Sequence, residues 1–107
     1  MKSNIIVNLQ YEAIHYWPNC NIKEVEFLKH PHRHIFHICC KKEVTHNDRD
    51  IEIIKLKREI LFYLNEEYQG NFVSRSCEMI AEELMIIFKL NYCRVLEDNE
   101  NGAEVIL

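Results

Sequence analysis

Apolar and polar residues alternate along the first part of the chain, from Ile5 to His15. The apolar positions of this stretch are Ile5, Val7, Leu9, Tyr11 and Ala13. A period of two over this length predicts a β-strand with one buried face. His15 continues the apolar series, so we expect its imidazole to point the way the core residues point.

A second strand is predicted from His32 to Val44. Alternate residues of a strand share a face, which places His32 and His34 together at the rim of an apolar face. The preceding segment, 22–29, fits either a short helical turn or an irregular loop.

Two amphipathic helices are predicted after the second strand. The first spans Asp48 to Leu64, and its apolar stripe consists of Ile53, Leu56, Ile60 and Leu64. The second spans Ser76 to Leu90, with Ser74 or Ser76 as its N-cap. The buried stripe of the second helix is expected to consist of Cys77, Ile80, Ala81, Leu84 and Phe88.

The chain is predicted to end in a β-hairpin with strands Tyr92 to Glu97 and Ala103 to Leu107. In its turn, Asn101 and Gly102 are expected to supply the positive φ angles. The order strand, strand, helix, helix, strand, strand predicts one α+β domain over the whole chain, a four-stranded antiparallel sheet with two helices on one face. The other sheet face and the edge strands need covering, so we expect a homo-oligomer.

Composition narrows the class of protein. A hydrophobic share of 48% with only 2 Gly and 2 Pro argues against disorder. The net charge of −4 gives no reason to expect a nucleic-acid partner. No apolar run is long enough to cross a membrane, and the 5 cysteines lack a CxxC pair, which favours reduced thiols. We therefore expect a cytoplasmic protein.

The histidines carry the candidate chemistry. His32 and His34 offer two metal ligands on one strand face, and His15 is the candidate for a third. Zinc in catalytic sites usually takes three protein ligands and leaves one position open. These residues form a candidate zinc site, and the alternative is a histidine-rich surface that also includes His30 and His37.

Five short segments follow one another in an order found in a known family. They are Tyr11–His15, His32–Phe36, Leu56–Lys57, Ser76–Ala81 and Val95–Asp98. This series resembles the 6-pyruvoyltetrahydropterin synthase and 6-carboxytetrahydropterin synthase family, which has the tunnelling fold. The resemblance spans nearly the whole chain.

The resemblance implies a function. The zinc ligands would be His15, His32 and His34. Glu97 would be the carboxylate that accepts hydrogen bonds from the N–H groups of a pterin or purine-like ring. Ser76 and Cys77, at a helix N-terminus, are further candidates for contacts with this small-molecule ligand. The implied activity is that of a carbon–oxygen lyase acting on a GTP-derived substrate like dihydroneopterin triphosphate, in a pterin or 7-deazaguanine (queuosine) pathway.

The chain differs from the family at the residues that would move protons. The family's cysteine, four residues before the His-x-His motif, corresponds to Leu28, and Cys20 is the only thiol in the same loop. Cys20 is therefore the candidate catalytic thiol. The family's Asp-His pair has no counterpart between Tyr63 and Ser74, and Arg33 replaces the central glycine of His-Gly-His.

Other functions fit the same residues. The protein can be a non-catalytic zinc-containing protein that sequesters a pterin-like or purine-like ligand. The metal can also be structural, or there can be none. A cupin-like site also uses His-x-His, but it predicts an all-β chain, and the two predicted helices count against it.

Overall fold

A computed structural model describes residues 1–107 and shows an α+β domain built on one five-stranded sheet. The predicted α+β class is confirmed. In chain order the elements are β1 (Ser3–His15), a 3-10 helix (Lys23–Lys29), β2 (His32–Val44), α1 (Ile53–Tyr68), β3 (Asn71–Val73), α2 (Cys77–Phe88), β4 (Tyr92–Glu97) and β5 (Asn101–Ile106).

The sheet has the strand order β3-β1-β2-β4-β5. Strands β1 and β2 pair antiparallel along their whole length, from Ser3 opposite Val44 to His15 opposite His32. The predicted four-stranded antiparallel sheet is wrong, because β3 adds a fifth strand that lies parallel to the end of β1. This strand has only three residues, too few to show the alternation by which a strand is recognised.

One hydrophobic core joins both α-helices to the same face of the sheet. Helix α1 contributes Leu56, Ile60 and Leu64 to this core. Helix α2 contributes Cys77, Ile80, Ala81, Leu84 and Met85. For the segment 22–29, the sequence allowed either a helical turn or an irregular loop. The structure shows a 3-10 helix there. It buries no residue.

The starts of the two α-helices are fixed by side-chain caps. Helix α1 begins at Ile53 and not at the predicted Asp48, because the carboxylate of Glu52 accepts hydrogen bonds from the first free backbone N–H groups. Helix α2 begins after Ser76, whose hydroxyl oxygen accepts from the N–H of Met79 at 3.2 Å. Of the two predicted cap candidates, Ser74 and Ser76, the structure shows Ser76 as the cap.

The β4–β5 hairpin differs from the prediction in its turn. The positive φ angles lie at Asp98 (53°) and Asn99 (60°), whereas Asn101 and Gly102 belong to β5. Gly102 is required for another reason, because a Cβ atom there would lie 1.8 Å from the carbonyl oxygen of Val95. The close approach of the two strands places the end of β4 beside the end of β2 that carries the histidines.

The sheet face opposite the helices is open. Ile6 and Ile14 are exposed on it among polar residues such as Gln10. None of the helices has the length and apolar character needed to cross a membrane.

Candidate metal centre

Three histidines meet where the paired strands β1 and β2 end. His15 lies directly opposite His32 in the β1–β2 register, and His34 lies two residues further along β2. All three side chains are on the core face of the sheet, and their ring centroids are 4.6 to 5.3 Å apart. The alternation of the two strands predicted this meeting, because His15 and the even-numbered histidines of β2 continue the apolar faces.

The inner ring nitrogens of these histidines have no aligned hydrogen-bond partner within the protein. One nitrogen from each of His15, His32 and His34 lies within 4.8 Å of the others. The Nε2 atoms of all three are buried and accept or donate no hydrogen bond. Buried polar atoms nearly always form hydrogen bonds, so three neighbouring nitrogens without any require an explanation. The three histidines can hold a metal ion.

The outer ring nitrogens, in contrast, are all anchored. Each Nδ1 lies at hydrogen-bond distance from an oxygen acceptor: His15 from the carbonyl of Arg75 (3.0 Å), His32 from the carbonyl of His30 (2.9 Å), and His34 from the carboxylate of Asp98 (2.7 Å). An acceptor at Nδ1 places the proton there and leaves the Nε2 lone pair free. This is the usual arrangement of histidines that bind metals.

Glu97 brings a carboxylate to the inner side of the cluster. Its Oε2 lies 3.0 Å from Nε2 of His15, and its Oε1 lies 3.7 Å from Nε2 of His34. The contact with His15 and the charges of the neighbouring imidazoles lower the pKa of Glu97, although burial opposes them. Burial alone would lower the pKa of His15, but Glu97 and the carbonyl of Arg75 outweigh it, so this pKa is raised.

A cavity of about 520 Å³ opens beside the cluster and brings together most of the predicted site residues. The predicted site residues that line it are His15, His32, Glu97, Ser76 and Cys77. The volume is in the range of small-molecule sites. Burial first, and then the charge of Glu97, raise the pKa of the Cys77 thiol to about 12, so Cys77 faces the cavity as a neutral thiol.

The predicted catalytic thiol lies elsewhere. Cys20 is buried inside the loop between β1 and β2, and its Sγ approaches the carbonyl oxygens of Ile22 (3.8 Å) and Val25 (3.6 Å). It does not line the cavity, whereas Leu28 does. His37 points to the open sheet face, and His46 contacts Asp50 in a turn, so neither reaches the centre.

A polar network behind the cavity was not foreseen from the sequence. The guanidinium of Arg75 pairs with the carboxylate of Glu83. The same carboxylate accepts hydrogen bonds from the hydroxyls of Tyr63 and Tyr68, each at 2.5 Å. Because the carbonyl of Arg75 binds His15, this network helps to fix one histidine of the cluster. Its members lie on two helices and a loop, and no local pattern connects them.

Asp98 is a further site residue that was missed. Its carboxylate binds His34 and also accepts from the N–H of Ile35 at 2.9 Å. The sequence signal was present, since Asp98 directly follows Glu97, but an acidic residue after a strand is usually an ordinary turn residue.

No protein-family model matches the chain, and no curated protein matches it either. The function therefore rests on the geometry of the histidine cluster and its cavity.

Proposed function

We propose that this chain is a zinc protein whose cavity receives a pterin or a 7-deazaguanine-pathway metabolite derived from GTP. One observation carries the metal part of the proposal: three buried Nε2 atoms lie close together without hydrogen bonds, while every Nδ1 is held by an acceptor. An unfilled cluster of this kind leaves buried polar atoms unsatisfied, and a bound cation removes that cost.

Zinc is a metal that fits these donors. It is commonly bound by imidazole nitrogens in a four-coordinate geometry, and catalytic sites use three protein ligands. Bound by His15, His32 and His34, it would supply Lewis-acid chemistry toward an oxygen of the ligand. The chain's own groups then have to hold the ligand and move its protons.

The walls of the cavity support a flat heterocyclic ligand. Tyr16 and Trp17 line the cavity together with Glu97. Aromatic rings offer flat surfaces on which a heterocycle can stack, and a carboxylate recognises neighbouring N–H groups through charge-assisted hydrogen bonds. The motif resemblance gives Glu97 this anchoring role.

The proposed reaction is that of a carbon–oxygen lyase on a dihydroneopterin triphosphate-like substrate. A second candidate function is supported by one observation. Leu28, at the place of the family's cysteine, lines the cavity, while the thiol of Cys20 faces backbone carbonyls in the loop. A cavity without an available thiol base favours a protein that binds the ligand without converting it.

Metal content is the first test of the proposal. Untagged protein is analysed for metals beside the double variant His32→Ala/His34→Ala, with His37→Ala/His46→Ala as the control that removes two histidines outside the cluster. We expect about one zinc per chain in wild type and control, and none in the cluster variant. Wild-type protein that stays metal-free after incubation with zinc would overturn the proposal.

Ligand chemistry is tested next with dihydroneopterin triphosphate and the zinc-loaded protein. Zinc-dependent formation of product supports the lyase, and its loss in Cys20→Ala would assign the thiol. Stoichiometric binding without product supports the binding protein. Neither binding nor turnover would remove the pterin part of the proposal and leave the metal part standing.

We also propose that the protein is a homo-oligomer. Residues 3–13 of β1 pair with β2 on one side and have no strand on the other, and β5 is a second free edge. Such edges offer unpaired backbone groups to another chain. Light scattering on a sizing column measures the mass directly, and a monomer at micromolar concentration would contradict this part.

A further inference from the structure

Glu97 is oriented toward the histidine cluster in a way that anchoring of a ring does not explain. A carboxylate reserved for two neighbouring N–H groups presents both oxygens to the ligand. Here each oxygen lies against a different imidazole: Oε2 is 3.0 Å from Nε2 of His15, and Oε1 is 3.7 Å from Nε2 of His34. The side chain is about 31% exposed, so much of it has left water.

The alignment of these contacts is informative. Although Oε2 is within hydrogen-bond distance of Nε2 of His15, that nitrogen has no hydrogen-bond partner. A partner in a hydrogen bond lies along the N–H direction. Two ligands of one metal ion, in contrast, lie side by side, with both lone pairs aimed at a common point between them. The His15–Glu97 contact is short but not aligned as a hydrogen bond, which fits the second arrangement.

The distances agree with this interpretation. Nitrogen and oxygen donors lie about 2.0–2.2 Å from zinc, so neighbouring donors of a tetrahedral site are about 3.3 Å apart. The two contacts of Glu97, at 3.0 and 3.7 Å, lie on either side of this value. Glu97 makes no such contact with His32 and lies on the side of His15 and His34, so its carboxylate has to shift toward His32 to complete a tetrahedral set.

We propose that Glu97 is a fourth protein ligand of the metal in the ligand-free protein, which makes the site three nitrogens and one oxygen. The inference rests on the proposed metal centre. It adds a regulation of that site, because a carboxylate engaged by the metal cannot bind a ring at the same time. A ligand that uses Glu97 must first displace it, and this frees a metal position only when the ligand is present.

The test uses metal binding without any organic ligand. Zinc affinity is measured by competition with a chromophoric chelator for wild type, Glu97→Gln and Glu97→Asp. Glu100→Gln is the matched control, since it removes one exposed carboxylate from the same hairpin. The visible spectrum of the Co²⁺-loaded proteins reports the coordination number directly. Circular dichroism of the metal-free variants checks that each is folded.

Ligation by Glu97 predicts at least about tenfold weaker zinc binding and an altered Co²⁺ spectrum for Glu97→Gln. Glu97→Asp should show both changes too, because its carboxylate is one methylene short of the metal. If Glu97→Asp keeps the wild-type zinc affinity and Co²⁺ spectrum, only the negative charge matters and the inference is overturned. A Glu97→Gln variant with wild-type affinity and spectrum would overturn it too. If Glu97→Gln does not fold, Glu97→Asp alone decides between these outcomes. Wild-type protein that binds no metal would instead overturn the proposed function.

Discussion

Asp98 holds the outer nitrogen of His34 from the turn that follows β4. The Nδ1–Oδ2 distance is 2.7 Å, and the other carboxylate oxygen accepts from the backbone N–H of Ile35. Asp98 reaches this position with a φ of 53°, a left-handed conformation that aspartate and asparagine tolerate better than most residues. One hairpin thus supplies a carboxylate to each side of the imidazole, Glu97 on the inside and Asp98 on the outside.

Replacing Asp98 by Asn should weaken metal binding without unfolding the protein. Asn tolerates the same backbone conformation, but it removes the charge that keeps the Nδ1 proton of His34 in place. Loss of such an outer partner typically costs about 10–100-fold in metal affinity. Chelator competition measures the change, with Glu100→Gln as the control in the same turn. Equal affinities of Asp98→Asn and wild type would show that His34 needs no outer partner.

Glu83→Gln should lower stability in a pH-dependent way. Burial raises the pKa of Glu83, but hydrogen bonds from Tyr63, Tyr68 and Arg75 outweigh it and hold the pKa below the ordinary value of 4.5. A lowered folded-state pKa stabilises the protein above pH 4.5, and this contribution is lost as the pH falls from there through the folded-state value. We expect a deficit of about 1–3 kcal/mol at pH 7 that narrows in acid.

Urea unfolding at a series of pH values measures this deficit. Glu82→Gln is the control, because Glu82 is exposed on the same helix and forms no ion pair. A deficit that stays constant from pH 7 to well below pH 4.5 would contradict the ionised network.

Gly102→Ala should disrupt the β4–β5 hairpin. The added methyl group would lie 1.8 Å from the carbonyl oxygen of Val95, so the strands must separate. We expect a loss of at least about 3 kcal/mol, the upper end of overpacking costs. Glu104→Ala, at an exposed position of β5, is the comparison. Thermal unfolding measures both, and a Gly102→Ala variant as stable as wild type would mean that the close approach is absent in solution.

Phe36→Ala should damage the core and the metal centre together. The Phe36 ring is fully buried and packs edge-on against His15, at 5.2 Å between centroids, and against Phe72, at 4.9 Å. Truncation of a buried Phe costs about 3–5 kcal/mol. Phe27→Ala, by contrast, should change stability by less than about 0.5 kcal/mol, because this ring is 65% exposed. Denaturant melts compare the two, and similar losses would contradict the packing described.

The sequence was informative where a pattern repeats over many residues. The alternation of β1 and β2 predicted both strands, their inward faces and the meeting of His15, His32 and His34. The helical stripes predicted α1 and α2, and the pair of possible caps, Ser74 and Ser76, marked the start of α2. These features are local, because one strand or helix fixes which residues share a face.

Features that depend on distant residues were not predictable. Strand β3 exists because the N–H groups of Ile14 and Tyr16 donate to the carbonyls of Gly70 and Val73. Nothing in the sequence of either segment indicates that the two will pair. The bonds that orient the histidines come from carbonyls and carboxylates up to 64 residues away in the chain. The prediction placed the positive φ angles at Asn101 and Gly102, because Asn-Gly is the stronger local signal for them. In the structure Gly102 lies in β5 instead, where the backbone of Val95 leaves no room for a side chain.

The pairing of β1 with β2 would give the proposed metal binding a second role. A shift of this pairing by one residue would turn the histidines of one strand to the opposite sheet face and scatter the cluster. A bound ion would therefore stabilise a single alignment of two long strands, at the end where the loop between them begins. Metal loading and correct strand alignment would then be one equilibrium, in which the concentration of free metal helps to decide how much of the chain is correctly folded.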